Sequence, residues 1–239
     1  VSNDKAGSRL RVPTIDPSQL VLPEGMRFAC QCCGGCCRDF WEIPLDEESF
    51  ARLKSLPLAD ISPNFLDSDQ WTQNSPRPDG GIGLRLVGKR CIFLDSKRRC
   101  VIHSNFGPAA KPQICQDFPF RYVCTPRGVF VGASLACPSI RANCGEPLDQ
   151  LRDALANRLS SSYSVATVRE PVELSPDLPI GFETYEQVEA CLSDLLKLRS
   201  LSLDDRLIAG CVFLQMIDRT VRQMGRSAQP DDAVLRLIE

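Results

Sequence analysis

A chain of 239 residues has room for one or two domains and a sizeable core, so it needs no crosslinks simply to fold. A formal charge of −2 argues against general binding to nucleic acid or to an anionic membrane. The anomaly is thirteen cysteines beside a single histidine.

In chain order, residues 1–25 are polar, and Pro13, Pro17 and Pro23 break any helix, so an extended arm is expected there. The arm carries no apolar signal region, and the longest apolar stretch, Leu207 to Ile217, is too short to span a bilayer. The expected setting is a reducing cytoplasm, where clustered cysteines read as metal ligands and not as disulfides. The odd cysteine count also fits complete pairing poorly.

Next comes Phe28-Ala29-Cys30-Gln31-Cys32-Cys33-Gly34-Gly35-Cys36-Cys37, with six cysteines in ten residues. Gly34-Gly35 lets this knuckle turn tightly enough to aim neighbouring sulfurs at one point. Leu45 to Leu53, acidic at its start and followed by Pro57, predicts a short helix. Asp60 to Gly81 reads as a surface loop, and residues 82–102 as strands that include Val101 and Ile102. Turns are expected at Gly88-Lys89 and Asp95-Ser96-Lys97. Gly107 to Pro119 reads as irregular, and Arg121 to Ser134 as a hairpin turning at Thr125 to Gly128.

Beyond Pro147 a 3.6-residue period appears, with stripes at Leu151, Leu155 and Leu159 and at Tyr185, Val188, Leu192, Leu195 and Leu196. Ser202-x-x-Asp205 resembles a capping box opening a helix through Leu207, Cys211, Leu214, Ile217 and Val221. Cys191 and Cys211 lie on these apolar faces and read as small buried core residues.

Charge is uneven. Between Arg85 and Arg141 there are ten Lys/Arg against only Asp95 and Asp117. This reads as a solvated basic face, or as a cationic surround that lowers the pKa of clustered thiols. A nucleic-acid groove lacks the regular aromatic interleaving of a stacking platform.

Eight cysteines form a spaced series: Cys30, Cys33, Cys36 and Cys37, then Cys91, Cys100, Cys115 and Cys137. A structural zinc site usually has two separated C-x2-C hooks, and the second hook is missing. Bacterial ferredoxins use C-x2-C-x2-C with a remote Cys-Pro; Cys30, Cys33 and Cys36 have that spacing, and Cys137-Pro138 is such a pair. An iron–sulfur cluster is therefore favoured, with zinc as the alternative. Eight sulfurs suffice for two four-ligand sites. Adjacent Cys36 and Cys37 are expected to point apart.

The radical-type C-x3-C-x2-C spacing is absent, because its last positions fall on Asp39 and Phe40. Gly80-Gly81-Ile82-Gly83 lacks the dinucleotide spacing and reads as a turn. His103, three residues after Cys100, is a candidate ligand, orienter or base, or simply a packed ring. Phe28, Phe40, Trp41, Phe93, Phe106, Phe118 and Phe120 lie near the cysteines in sequence, either as core or as a dry shell around a cluster.

Phe28-x-Cys30-x2-Cys33-Gly34-x-Cys36-Cys37, Cys91-Ile92-Phe93-Leu94, Cys100-Val101-Ile102-His103, Lys111-Pro112-x2-Cys115-Gln116-Asp117-Phe118-Pro119 and Leu135-Ala136-Cys137-Pro138 together resemble the YkgJ-type cysteine-cluster family. The resemblance implies a zinc- or iron-chelating domain over about residues 26–145, with the eight cysteines as ligands. That family includes flagellin lysine-N-methylases, and Tyr185 to Leu198 with Ser202-Leu203-x2-Arg206-Leu207 resembles that branch. The methylase resemblance implies S-adenosylmethionine as methyl donor and a protein such as flagellin as substrate. Departures are Lys111 and Gln116, where the family usually has arginine, and the additional Cys32, Cys124 and Cys144.

The sequence thus predicts an α+β chain with three parts: an arm (1–25), an irregular metal-nucleated cysteine domain with short antiparallel hairpins (26–146), and a helical region (147–239). Three functions compete: a cluster-dependent lysine methyltransferase, a non-catalytic zinc-binding interaction module, and an electron carrier. No nucleic-acid or membrane partner is expected.

Overall fold

The computed structural model describes residues 15–38, 42–75, 80–162, 165–224 and 229–238. Pro13, Asp39, Phe40 and Trp41, all invoked above, lie outside them. The chain divides into two compact units, 1–167 and 168–239. Residues 147–167, expected to open the helical region, thus fall in the first unit. The mixture of short sheets and helices, with a cysteine-rich N-terminal part and a helical C-terminal part, is the predicted α+β class.

The first unit has two cores. One is built on a small antiparallel sheet ordered β3-β5-β4, where β3 is Pro44–Leu45, β4 is Thr72–Asn74 and β5 is Ile82–Leu84. Helix α1, Glu47–Lys54, forms where acidic residues follow a cap, and Asp46 accepts from the Ser49 N–H at 2.8 Å. Ile43, Leu53, Leu58, Trp71, Leu84, Phe93 and Ile102 fill this core. Phe93 is its hub: its ring centroid lies 5.1 Å from that of Phe65 and 5.9 Å from that of Trp71.

Three local expectations change here. The 60–81 segment is not a surface loop where it is described. It carries a short helix, α2 (Ser68–Trp71), and β4, because Phe65 and Trp71 need burial. Val101 and Ile102 begin a helix, α3 (Val101–Phe106), not a strand. A short apolar run suits either state, and Gly107, at φ +83°, ends this one as a helix. Between the prolines of 107–119 sits α4, Gln113–Asp117, with Pro112 at its start, where a missing N–H costs nothing.

The second core joins a four-stranded sheet, ordered β1-β9-β8-β11, to helix α6 (Arg152–Leu159). The central hairpin, β8 (Phe120–Thr125) and β9 (Gly128–Ala133), turns where the sequence predicts. The strands β1 (Leu20–Val21) and β11 (Val165–Thr167) add in parallel at its edges. The N-terminal arm is therefore part of the fold in its described portion: Leu20 is buried against the sheet. Tyr122 is fully buried, and its hydroxyl donates to the Leu155 carbonyl at 3.2 Å.

The second unit packs a hairpin, Val172–Ser175 with Leu178–Ile180, and three helices, α7 (Phe182–Lys197), α8 (Leu203–Met224) and α9 (Pro230–Ile238). Its core is Leu178, Ile180, Val188, Ile217, Val221, Ala233 and Val234. Ser202 caps α8, its Oγ accepting from the Asp205 N–H at 3.1 Å. Cys191 is only half-buried and Cys211 is exposed, so neither is the buried core residue expected. The period is correct, but on α8 the buried side carries Ile217 and Val221 and not position 211. Among the described residues no helix is long and apolar enough to cross a membrane.

Leu155 is 2% exposed and packs beneath Tyr122. Leu155→Ala is expected to cost about 2–5 kcal/mol in urea unfolding, whereas Val87→Ala, at a 59% exposed site, should change stability by less than about 0.5 kcal/mol.

Candidate metal centre

The sulfur knuckle owes its path to two glycines. Gly34 takes φ +65°, and a Cβ there would meet the Arg98 carbonyl oxygen at 2.5 Å and Leu94 Cδ1 at 2.8 Å. A Cβ on Gly35 would lie 3.1 Å from the Pro138 ring. The knuckle is thus pressed against two remote segments that carry their own cysteines, the Cys91–Cys100 loop and the Cys137-Pro138 corner. Gly35–Cys37 then winds into one short turn, closed by the Cys37 N–H on the Gly34 carbonyl at 3.0 Å.

A latch holds the knuckle's entry. β2 (Arg27–Phe28) pairs with β10 (Glu146–Pro147), and the Arg27 N–H donates to Asn143 Oδ1 at 2.8 Å. Asn143 Nδ2 returns to the Gly25 carbonyl at 3.0 Å. The buried Ser139 hydroxyl donates to the Ala29 carbonyl at 2.6 Å. These bonds clamp the chain before Cys30 to the chain after Cys137.

The α3 and α4 segments supply the other sulfurs. Leu94 bridges to Cys100, which sits at the start of α3. Cys115 lies within α4. That helix is fixed by a buried polar chain: the Gln113 N–H donates to Ser49 Oγ at 3.0 Å, Gln113 Nε2 to Asp117 Oδ1 at 2.8 Å, and Ser162 Oγ to Asp117 Oδ2 at 2.9 Å. A carboxylate only 1% exposed requires such donors.

All eight predicted cysteines, Cys30, Cys33, Cys36, Cys37, Cys91, Cys100, Cys115 and Cys137, line one cavity of about 430 Å³. Cys32, outside the predicted set, lines it too, held at φ +48°. Cys124 and Cys144 do not; Cys144 packs on Ser139 instead. All thirteen cysteines are free thiols. Among the described residues no three His, Cys, Asp or Glu side chains converge on one point, so the sulfurs ring the cavity. Cys36 and Cys37 do not point apart as expected: their Sγ atoms are 3.8 Å from each other, because the tight turn swings both inward.

Electrostatics separate an interior from a rim. Interaction with Cys37 holds the Cys36 thiol down, to about 6, and raises that of Cys37. Burial pushes Cys91 up to about 12 and raises Cys100 and Cys115 as well. Cys36, Cys91, Cys100 and Cys115 also feel one another's charge. Cys30 and Cys32 are exposed at the rim, where the Cys30 charge raises Cys32.

Lys111 is the cation that acts on the interior thiols among the described residues. It lies on the wall, its Nζ donating to the Cys115 carbonyl at 2.9 Å, and its charge lowers Cys36, Cys100 and Cys115. Its carbonyl is held by Arg52 Nη1 at 3.0 Å and by Gln116 Nε2 at 2.7 Å. Of the basic segment Arg85 to Arg141, Lys111 and Arg99 line the cavity; Lys111 lowers cysteine thiols as the charge-balance reading expects, whereas Arg99 is paired with Asp95 at 3.1 Å. Arg158 joins them from α6, a contribution with no sequence signal because it lies far from every cysteine. His103 lines the wall, and burial followed by the Lys111 charge lowers its pKa. Phe28, Phe93 and Phe118 supply apolar wall, whereas Phe106 and Phe120 pack into the two cores.

Residues 29–139 match the CxxCxxCC family, described as "Putative zinc- or iron-chelating domain". The match falls on the same cysteine series as the motifs read from the sequence, and its description agrees with a metal-binding reading of that series. No curated protein and no solved structure matches the chain.

Gly34→Ala tests the docking of the knuckle. Gly88 has a similar positive φ, +56°, with nothing within 4 Å of its added Cβ. Gly88→Ala should therefore cost only about 1 kcal/mol of left-handed strain. Gly34→Ala should cost about 1–3 kcal/mol more in denaturant unfolding, because a backbone oxygen must move.

Proposed function

We propose that the 29–139 domain binds an iron–sulfur cluster inside the 430 Å³ cavity, with its ligands drawn from Cys30, Cys33, Cys36, Cys37, Cys91, Cys100, Cys115 and Cys137. The observation that carries this reading is the gathering of all eight sulfurs around one space. A single four-coordinate zinc with bonds of about 2.3 Å draws its sulfurs to about 4 Å from one another and leaves no room between them. Eight sulfurs around one space exceed the four that such a zinc takes, and so suit a larger inorganic core.

The donor chemistry fits. Thiolates are soft ligands that suit iron–sulfur clusters and zinc and do not suit calcium or magnesium. The apolar wall of Phe93, Phe118, Ile43, Leu84 and Ile102 keeps water away and so tunes a bound cluster. Lys111 offsets part of the negative charge of the ionised sulfurs. When bound, such a cluster supplies one-electron chemistry at a potential set by that shell. The methyl transfer implied by the family resemblance has no contact in the cavity arguing for it, so the proposal is cluster binding.

Anaerobic reconstitution with iron and sulfide, followed by metal and sulfide analysis and a visible spectrum, tests it. The full chain should turn brown and hold iron and sulfide in similar amounts. Cys36→Ser and Cys100→Ser should lose most of that iron, whereas Cys191→Ser and Cys211→Ser should load normally. A colourless protein carrying only zinc, or equal losses in all four variants, would overturn the assignment.

A further inference from the structure

The second unit carries a surface that metal binding leaves unused. On α8, Ile217 and Val221 are buried in the unit's core, yet Ile208, Val212 and Met216 are 63%, 48% and 57% exposed. Their four-residue spacing stacks them into one apolar stripe on the opposite face of the helix. A helix that is apolar on two faces has one face too many for its own unit.

The stripe is self-complementary about Val212. Ile208 and Met216 lie four residues to either side of it, and the exposed Asp205 and Arg219 lie seven to either side. Two such helices laid antiparallel therefore put Val212 on Val212, Ile208 on Met216 and Asp205 on Arg219, with each heterotypic contact made twice. Closed two-fold symmetry demands this pattern. Seven-residue spacing keeps Asp205, Val212 and Arg219 on one seam. Parallel pairing would instead stack Asp205 on Asp205 and Arg219 on Arg219, which like-charge repulsion disfavours. A lipid surface is the poorer occupant: helices that lie on membranes are rich in Lys and Arg, while on α8 the three arginines are matched by three aspartates, two of them, Asp204 and Asp205, at its start.

We propose that α8 is the interface of a homodimer, packed antiparallel about a two-fold axis through Val212. Asp205 also bonds Ser202 at the start of its own helix, at 2.6 Å, which holds its carboxylate in place. The partner is a second copy of this chain, and no metal is needed at the contact.

The test is the mass of the full chain in solution, by light scattering or sedimentation at tens of micromolar. The wild type should run as a dimer. Val212→Glu, at an exposed site, should keep its helical circular dichroism and weaken association at least about tenfold. Asp205→Arg and Arg219→Asp should each weaken the dimer, and the double exchange should restore it. A monomeric wild type would overturn the proposal, as would a dimer that Val212→Glu leaves intact. Should Val212→Glu lose its helicity, the charge exchange decides: a double variant no tighter than the singles also refutes it.

Discussion

Buried sulfur is the constraint on which the first unit depends. A thiol taken out of water resists ionisation, as the upward shift of Cys91 to about 12 shows. Yet several thiols have been brought to the wall of one cavity, where their negative forms also repel one another. Left protonated, the thiols avoid both costs; a bound metal would displace those protons and draw the sulfurs together. Lys111 provides part of the relief beforehand. Its ammonium favours the ionised form of three of the interior cysteines, and Cys36 is held down further, chiefly by its hydrogen bond with Cys37.

The polypeptide prepares the site by docking, not by disulfides. Gly34 and Gly35 admit the Arg98 carbonyl and the Pro138 ring at distances that a side chain would forbid. Ser139, Asn143 and the β2–β10 pair hold the two ends of the domain together across more than a hundred residues of sequence. Closing so long a loop is entropically unfavourable. The Phe93 hub and the Tyr122–Leu155 sheet core offset that cost with apolar burial. The two cores thus bring the cysteine-bearing segments together without a metal.

Much of this was legible in the cysteine spacing. Eight positions chosen from the series line one cavity, and the glycine pair between them has the tight-turn role expected of it. The Thr125–Gly128 hairpin and the helices from Phe182 onward were readable because turn chemistry and the 3.6 period are local signals. Less legible was whatever depends on tertiary context. Val101-Ile102 suited strand or helix equally until Gly107 and the core decided. Trp71 and Phe65 drew a polar, proline-rich stretch into the core. Arg158 reached the cavity from a remote helix, which leaves no sequence mark, whereas Cys32 lies in the knuckle but outside the spaced series and enters at φ +48°. Cys211 shows the reverse error: an apolar period says that a face exists, not which of two faces is covered.

X-ray absorption at the metal edge of the anaerobically prepared 239-residue chain is the most direct check on the central claim. The account predicts an iron spectrum with a first shell of sulfur alone and a further iron–iron scattering peak. A zinc–sulfur shell without any metal–metal peak would contradict the cluster, and a shell of nitrogen and oxygen would contradict the cysteine site altogether.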